Sequence, residues 1–286
     1  MLDVYVDRYV NFVRRRDYVL HRMLDGLQHA GLRWRLLDHR GVADPAKVAF
    51  FHVDLTDVPA EFLGFAKRYA HAVNGKATSI DRRLYSRLRL TPNDNYQGPV
   101  IVKTVRNSRG FPELRYATRR NALSRLGHLA RKLVMPGYKE RECPKYSVFP
   151  SLAEVPTPIW DDDRLLVERF APGTLTMPFT RYKYNFFLDV EQNTRSTFSS
   201  LIYDDGAVQI FEVIEEVPDE VSRIREALNL DFGAIEYFVV DGDCFVIDVN
   251  KTVTQPEAWI DRFPESGRFI DDITLRLVEF VKAGGV

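Results

Sequence analysis

The chain has 286 residues, of which 45% are hydrophobic and 28% are charged, and its 40 basic and 40 acidic side chains give a formal net charge of zero. This composition is ordinary for a soluble globular protein. No apolar run approaches the ~20 residues that a membrane helix needs, and the charged N-terminus lacks the apolar core of a signal peptide. The two cysteines, Cys143 and Cys244, lie far apart, which argues against a disulfide scaffold or a zinc site. We therefore expect a cytoplasmic protein without a membrane segment.

The first third of the sequence predicts a small α/β unit. Apolar residues recur at helical spacing in some segments and form short apolar or alternating runs in others. The predicted elements are helices at 17–30, 60–72 and 81–90 and strands at 32–37, 48–55 and 72–73. We place the end of this N-terminal subdomain at residue 97.

A second, larger domain is predicted over residues 98–286. It opens with 99–105, a continuous β-branched run of the kind found in buried strands. Further strands are predicted at 164–170, 181–190, 196–203, 207–213, 234–240 and 244–249, and helices at 117–134, 219–228 and 266–282. A turn is predicted at 204–206.

The segment around 113–150 resembles a basic helical insertion in this second domain. Residues 106–145 contain eleven Lys or Arg and three acidic residues. Such a local excess favours an anionic substrate or partner, although a solvated helix face has the same composition.

Three polar residues interrupt the last predicted hairpin. Glu236 lies in one apolar strand, and Asp248 and Asn250 lie two apart in the next, so these two share a face. Two carboxylates and an amide oxygen on one face form a hard-oxygen site suited to Mg²⁺. Glu236 joins that face if the connecting loop has an odd number of residues. We therefore predict a three-residue loop with Gly242 in the left-handed region.

Lys103 lies inside the apolar run at 99–105. A charge in a buried strand needs a partner, and phosphate is a natural one. The polar loop at 106–110 follows, and its backbone N–H groups could cover phosphates. A lysine that extends to solvent from an edge strand is an equally simple interpretation of Lys103 alone.

Two later strands contain further candidates. Glu168, Arg169 and Phe170 end one strand before a Pro-Gly turn, where an adenine can pair with exposed backbone groups. Lys183 lies in the next, basic strand and is a second candidate phosphate ligand.

The order of these elements along the chain, with the lysine-containing strands first and the acidic hairpin last, resembles that of the ATP-grasp superfamily. The resemblance covers nearly the whole chain. The most specific piece is the string Asp-Val-Asn-Lys-Thr at 248–252. The resemblance implies an α/β fold in which an N-terminal α/β subdomain precedes a two-lobed ATP-grasp domain. ATP would bind between antiparallel sheets.

The resemblance also implies roles for the candidate residues. Lys103 and Lys183 would be catalytic. Glu236, Asp248 and Asn250 would bind magnesium. The nucleotide-binding set would comprise Arg83, Lys103, Glu168, Arg169, Phe170 and Lys183.

By resemblance, the expected activity is an ATP- and Mg²⁺-dependent carboxylate–amine ligase that acts through an acyl phosphate. Its substrates would be small-molecule or peptide carboxylates and amines, and a homodimer is possible. Ala234 stands where many such ligases carry an arginine, which favours an alternative, a phosphotransferase on the same scaffold. A second alternative is a non-enzymatic nucleic-acid or anionic-polymer binder built around 106–145. It is disfavoured because no clear aromatic platform interleaves the basic residues.

Overall fold

The computed structural model describes residues 1–7, 9–113, 116, 146–173, 178–199 and 208–284. The predicted helix at 117–134 and the predicted turn at 204–206 lie outside these residues. So does most of the basic segment at 106–145, and its proposed anionic partner stays a prediction. No helix in the described part of the chain is long and apolar enough to cross a membrane.

The N-terminal part contains a parallel sheet of four strands in the order β2-β1-β3-β4. Its elements are β1 (Leu2–Val6), α1 (Tyr9–Arg14), α2 (Val19–His29), β2 (Trp34–Leu37), β3 (Val48–His52), α3 (Ala60–Ala66) and β4 (His71–Val73). The sequence did not predict β1, because Asp3 interrupts its short apolar run. Asp3 is fully buried, and Arg35 neutralises its charge at a distance of 2.5 Å between Nε and Oδ1.

A predicted helix at 81–90 is wrong. Only a single 3₁₀ turn, Arg82–Leu84, forms there, and the chain then runs in extended form beside the strand Leu165–Arg169. Leu88 accepts a hydrogen bond from Arg169, and Leu90 donates one to Val167. Leu88 and Leu90 are both buried, so the segment follows a period of two rather than the helical period.

The second part of the fold begins with an antiparallel sheet of three strands in the order β6-β5-β7. Its elements are β5 (Val100–Thr104), β6 (Ser147–Phe149), the short helix α4 (Thr157–Trp160) and β7 (Leu165–Arg169). The predicted strand with Lys103 is therefore present, at the centre of this sheet.

A larger antiparallel sheet has five strands in the order β10-β9-β8-β11-β12. Its elements are β8 (Phe179–Phe187), β9 (Val190–Phe198), β10 (Val208–Ile214), α5 (Asp219–Ala227), β11 (Phe232–Val240) and β12 (Asp243–Asn250). The strand predicted at 196–203 overlaps β9 at residues 196–198, and residues 200–203 lie outside the described part of the chain. Strand β9 begins earlier than predicted, because the chain turns at Leu188, whose φ of 52° is uncommon for leucine. Helix α5 covers one face of the sheet with Val221 and Ile224.

Two helices, α6 (Glu257–Arg262) and α7 (Pro264–Lys282), complete the described chain. Helix α7 packs against α2, so that Leu24 and Leu277 share one core with Phe187 and Phe232 of the five-stranded sheet. The C-terminal helix and the N-terminal sheet thus stabilise each other. The division of the chain at residue 97 stays a prediction.

Candidate functional site

The hairpin of β11 and β12 is connected by a two-residue turn, Asp241-Gly242, and not by the predicted three-residue loop. Both turn residues have positive φ, 52° for Asp241 and 86° for Gly242. This is the conformation that best matches the twist of a two-residue hairpin. The predicted left-handed conformation of Gly242 is therefore present, although the loop length was wrong.

A β-bulge in β12 supplies the extra residue that the loop does not. Tyr237 pairs with Val246, whereas the next residue towards the N-terminus, Glu236, pairs with Asp248. Ile247 is the inserted residue, and it reverses the alternation of faces along β12. As a result Glu236 and Asp248 lie directly opposite each other on one face, as the hypothesis of a metal site requires.

Asn250 lies on the same face, opposite Ala234. Together with Glu236 and Asp248 it lines a cavity over the five-stranded sheet. The Oδ1 atom of Asn250 accepts hydrogen bonds from the Thr252 N–H at 2.8 Å and from the Thr252 hydroxyl at 3.3 Å. The same hydroxyl also reaches Asp54 at 2.8 Å, and its single proton can serve one of the two acceptors at a time. When the hydroxyl donates to Asp54, one lone pair of the Asn250 oxygen is left for a cation. No group of three or more His, Cys, Asp or Glu in the described residues is placed to hold a metal. A magnesium site here would therefore need the amide of Asn250.

Guanidinium groups contact both carboxylates. Arg82 lies 2.6 Å from Asp248, and Arg181 lies 2.7 Å from Glu236. Burial raises the pKa of Asp248 above its usual range; Arg82 opposes this shift, and the negative charge of Glu236 adds to it. The two carboxylates therefore repel each other, which is the situation that a shared cation relieves.

Arg82 was not among the candidates from sequence, whereas its neighbour Arg83 was. Arg82 is buried, and it donates hydrogen bonds to the carbonyl of Thr104 and the hydroxyl of Tyr146, both at 3.1 Å. Arg83 points away, with 53% of its side chain exposed and an ion pair to Asp81 at 2.6 Å. The sequence alone cannot distinguish two adjacent arginines, because the turn capped by Asp81 decides which one faces inward.

Lys103 forms an ion pair with Glu168, at 2.9 Å between Nζ and Oε2. Burial alone would raise the pKa of Glu168, but the charges of Lys103 and Arg82 and a hydrogen bond from the Ser86 hydroxyl keep it below its usual range. Lys103 also donates to the carbonyl of the bulge residue Ile247 at 3.3 Å. The lysine predicted to bind phosphate is thus held between the two sheets.

A cleft of about 370 Å³, here called the inter-sheet cleft, separates the three-stranded and five-stranded sheets. One part of its wall is apolar and includes Ile101, Phe170, Phe179, Phe198 and Phe238. Another part is charged and includes Arg82, Lys103, Arg181, Glu236 and Asp248. A cleft with an apolar slot and a charged end suits a ligand with a flat ring system and an anionic tail.

Of the three residues predicted to meet the adenine at the end of β7, Arg169 and Phe170 line the inter-sheet cleft. Glu168 does not, because it is buried in its ion pair with Lys103. The Phe170 N–H donates to the carbonyl of Pro99 and the Phe170 carbonyl accepts from Gly173, both at 2.8 Å, so its ring is the group that faces the cleft. The guanidinium of Arg169 lies 5.5 Å from the centre of the Tyr96 ring.

The predicted phosphate loop, Asn107–Gly110, begins three residues after the end of β5 and is not a regular helical turn. Three successive residues, Ser108, Arg109 and Gly110, have positive φ values of 46°, 58° and 74°. Asn107 fixes the start of the turn, because its N–H donates to the Thr56 hydroxyl at 2.9 Å. The loop is therefore attached to the N-terminal sheet.

Lys183 lies opposite Glu236 in the pairing of β8 with β11. It lines the cavity over the five-stranded sheet rather than the inter-sheet cleft. The structure thus gathers Lys103, Lys183 and the carboxylate pair around the place where the two cavities meet. It adds Arg82 and Arg181, which the sequence analysis missed, and leaves the Arg83 side chain at the surface.

No protein-family model and no curated protein matches the sequence. Solved structures match over almost the whole chain. D-alanine–D-alanine ligase from Bacillus anthracis, complexed with ATP, is 11% identical with a TM-score of 0.50, and 98% of this chain and 99% of that chain are covered. A RimK domain protein ATP-grasp from Sphaerobacter thermophilus DSM 20745 is 14% identical with a TM-score of 0.47, covering 98% and 99%. The macrocyclase MdnC from Microcystis aeruginosa MRC, bound with precursor peptide MdnA, is 10% identical with a TM-score of 0.49, covering 98% and 100%.

The chain therefore has the ATP-grasp fold. This confirms the predicted class, an N-terminal α/β subdomain followed by two lobes built on antiparallel sheets. At this level of identity the likeness defines the fold alone, and the chemistry must be argued from the residues of this chain.

Proposed function

We propose that this protein is an ATP- and Mg²⁺-dependent carboxylate–amine ligase that acts through an acyl phosphate. One observation carries the proposal. The charged end of the inter-sheet cleft and the cavity over the five-stranded sheet share Arg181, Glu236 and Asp248. A nucleotide in the cleft and an acceptor in the cavity would therefore meet at the carboxylate pair.

The nucleotide would lie with its adenine between the apolar walls and its phosphates at the charged end. The ammonium group of Lys103 has three N–H donors. Two of them face Glu168 and the Ile247 carbonyl, and the third is left for a phosphate oxygen. Arg82 would replace the predicted Arg83 as the second cation at the phosphates. The Phe170 ring would contact the adenine, since its backbone groups are bonded within the protein.

Glu236, Asp248 and Asn250 would hold magnesium. Their fit rests on an all-oxygen donor set on one face and on the mutual repulsion of the carboxylates. When bound, the ion would neutralise phosphate charge and orient the phosphate oxygens.

In the proposed reaction, an oxygen of the substrate carboxylate attacks the γ-phosphorus of ATP. The bond to the β,γ-bridging oxygen breaks, and ADP leaves with that electron pair. The amine nitrogen then attacks the carbonyl carbon of the acyl phosphate, inorganic phosphate leaves, and the nitrogen loses a proton. The positive charges of Lys103 and Lys183 would offset the negative charge on the transferred phosphoryl group.

A specific observation supports the phosphotransferase alternative. Ala234 is buried, with 2% of its surface exposed, and the residues paired with it are Asn185 and Asn250. These neighbours are uncharged, so they give an acyl phosphate less electrostatic support than an arginine at Ala234 would.

Trapping with hydroxylamine tests ligation against phosphotransfer. Pools of carboxylic acids are incubated with the protein, Mg²⁺, ATP and hydroxylamine, and both ADP and hydroxamates are measured. We expect hydroxamate formation that requires the acid and ATP and is lost in the double variant Lys103→Met, Glu168→Gln. ADP release with a stable phosphorylated hydroxyl compound and no hydroxamate would contradict the ligase proposal.

A further inference from the structure

The cavity over the five-stranded sheet, here called the sheet-face cavity, has a volume of about 180 Å³. Its floor is the face of the sheet that carries the carboxylate pair, and residues of α6 and α7 form part of its wall. Ligand pockets for drug-sized molecules usually measure about 300–1,000 Å³. The sheet-face cavity is therefore suited to a small molecule and not to a folded peptide segment.

The pairing of the strands arranges the floor in rows at increasing distance from the inter-sheet cleft. One row contains Lys183, Glu236 and Asp248, and the next row contains Asn185, Gln192 and Asn250. The charged row lies beside the cleft, where phosphoryl transfer is proposed. The distal row consists of amide side chains.

The amides of the distal row can both donate and accept hydrogen bonds. The Asn185 amide has no hydrogen-bond partner within the described part of the chain, and it lines the cavity. The same holds, within the described ranges, for the hydroxyl of Ser196, which is 5% exposed and lines the cavity nearer the cleft. Leaving such groups unpaired costs about 1–3 kcal/mol each when they are buried, so a ligand with its own donors and acceptors fits this floor.

The wall opposite the floor is mainly apolar. It includes Trp259, Phe269 and Ile273, and the indole N–H of Trp259 is bonded to the Ser266 hydroxyl at 3.2 Å. Among the described residues that line the cavity, the acidic ones are Glu236 and Asp248, both in the row beside the cleft. An ammonium group over the distal row would therefore lose water without gaining a counter-charge.

We propose that the sheet-face cavity binds a small carboxylic acid whose body is uncharged and carries hydroxyl or amide groups, and that it disfavours zwitterionic amino acids. The inference rests on the proposed function, because that function places the reacting carboxylate in the charged row beside Lys183. The body of the acid then lies over Asn185 and below Trp259. The amine that completes the ligation is a separate molecule.

Matched pairs of acids test this proposal. Ligand-observed NMR measures binding of lactate against alanine and of glycerate against serine, with the protein saturated with Mg²⁺ and a non-hydrolysable ATP analogue. We expect each hydroxy acid to bind about tenfold or more tightly than its amino-acid counterpart, since an unpaired buried charge costs at least that much. Tighter binding of the amino acids, or no binding of any of the four acids, would overturn the proposal.

Two variants of one residue sharpen the test. Asn185→Asp has nearly the same shape and supplies a carboxylate, so it should reverse the preference towards alanine and serine. Asn185→Leu should weaken binding of the hydroxy acids about tenfold. Gln209→Leu, at an exposed position of β10, is the matched control and should change nothing. An unchanged preference in Asn185→Asp would also overturn the proposal. Titration of the ATP analogue alone is a separate measurement, and its failure would count against the proposed function.

Discussion

Arg82 and Arg83 are adjacent in sequence, carry the same charge and occupy opposite environments. Arg83 pairs with Asp81 at the surface, where such pairs contribute only about 0–1 kcal/mol to stability. Arg82 is buried beside Asp248 and lines the inter-sheet cleft. In low-dielectric surroundings its charge acts more strongly on a phosphate than an exposed charge would. The position of the guanidinium, and not the residue type, determines the expected role.

This contrast predicts different effects of the same substitution. Arg82→Gln should weaken binding of a fluorescent ATP analogue by about 10- to 100-fold, because one hydrogen bond to a charged group is worth about 1.5–3 kcal/mol. Arg83→Gln, the matched control, should leave the affinity within about twofold. Circular dichroism of both variants checks that they fold. A larger loss in Arg83→Gln than in Arg82→Gln would contradict the proposed role of Arg82.

At the scale of elements, the hairpin of β11 and β12 combines a tight turn with a bulge. A two-residue turn alone would place Glu236 and Asp248 on opposite faces, because side chains alternate along a strand. The inserted Ile247 corrects the parity. It also turns a carbonyl towards Lys103, so one irregularity positions both the carboxylates and the lysine.

Gly233 of β11 allows the two strands to approach next to the candidate metal site. A Cβ at this position would lie 2.6 Å from the carbonyl oxygen of Asn250 and 3.0 Å from the Phe186 ring. Gly242 differs, because a Cβ there meets no atom within 4 Å, although its φ of 86° disfavours other residues. The first glycine is required by a close contact, and the second by backbone conformation alone.

The same substitution at the two glycines, Gly233→Ala and Gly242→Ala, should therefore have similar effects on stability but different effects on nucleotide binding. Each should lower the free energy of unfolding, Gly242→Ala by about 1–2 kcal/mol from its left-handed backbone. Only Gly233→Ala should weaken Mg²⁺-dependent nucleotide binding, because it forces apart the strands that carry Glu236 and Asn250. Urea denaturation and titration at fixed nucleotide with rising Mg²⁺ measure the two effects. Equal Mg²⁺ dependence in both variants would argue against a metal site at this hairpin.

Much of this element could be predicted from sequence, and the part that could not has a physical cause. The polar residues that interrupt the apolar strands indicate which face carries the candidate site. The number of residues between Glu236 and Asp248 shows that one extra residue is needed for the two side chains to share that face. The position of the bulge could not be predicted, because Val246, Ile247 and Val249 are all apolar and the sequence does not indicate which residue is inserted. Similarly, the buried Asp3 hid β1, since its partner Arg35 lies 32 residues away. Local patterns indicate strands, but pairings with distant residues decide where they bend and which charges they can bury.

At the scale of the whole molecule, three sheets are connected around the charged end of the inter-sheet cleft. Asn107 of the predicted phosphate loop donates a hydrogen bond to Thr56, and the buried Lys251, directly after β12, donates to the carbonyls of Leu55 and Thr56. All three bonds end on the segment that follows β3 of the parallel sheet. The predicted phosphate loop and the hairpin of β11 and β12 are thereby attached to the same point of the N-terminal part of the fold. This arrangement would hold the groups that we propose to bind the phosphates in fixed positions relative to each other.

The central claim is that a nucleotide binds in the inter-sheet cleft with its phosphates at Lys103. Calorimetric titration with a non-hydrolysable ATP analogue and Mg²⁺ tests it most directly. The test protein is the double variant Lys103→Met, Glu168→Gln. It removes the charges of both partners of a buried ion pair and so leaves neither charge buried without its partner. The control is Lys67→Met, an exposed lysine at the end of α3. We predict saturable binding to the unmodified protein and to Lys67→Met, and a loss of about 10-fold or more in the double variant. Equal affinity in a folded double variant, or no binding to the unmodified protein, would contradict the account.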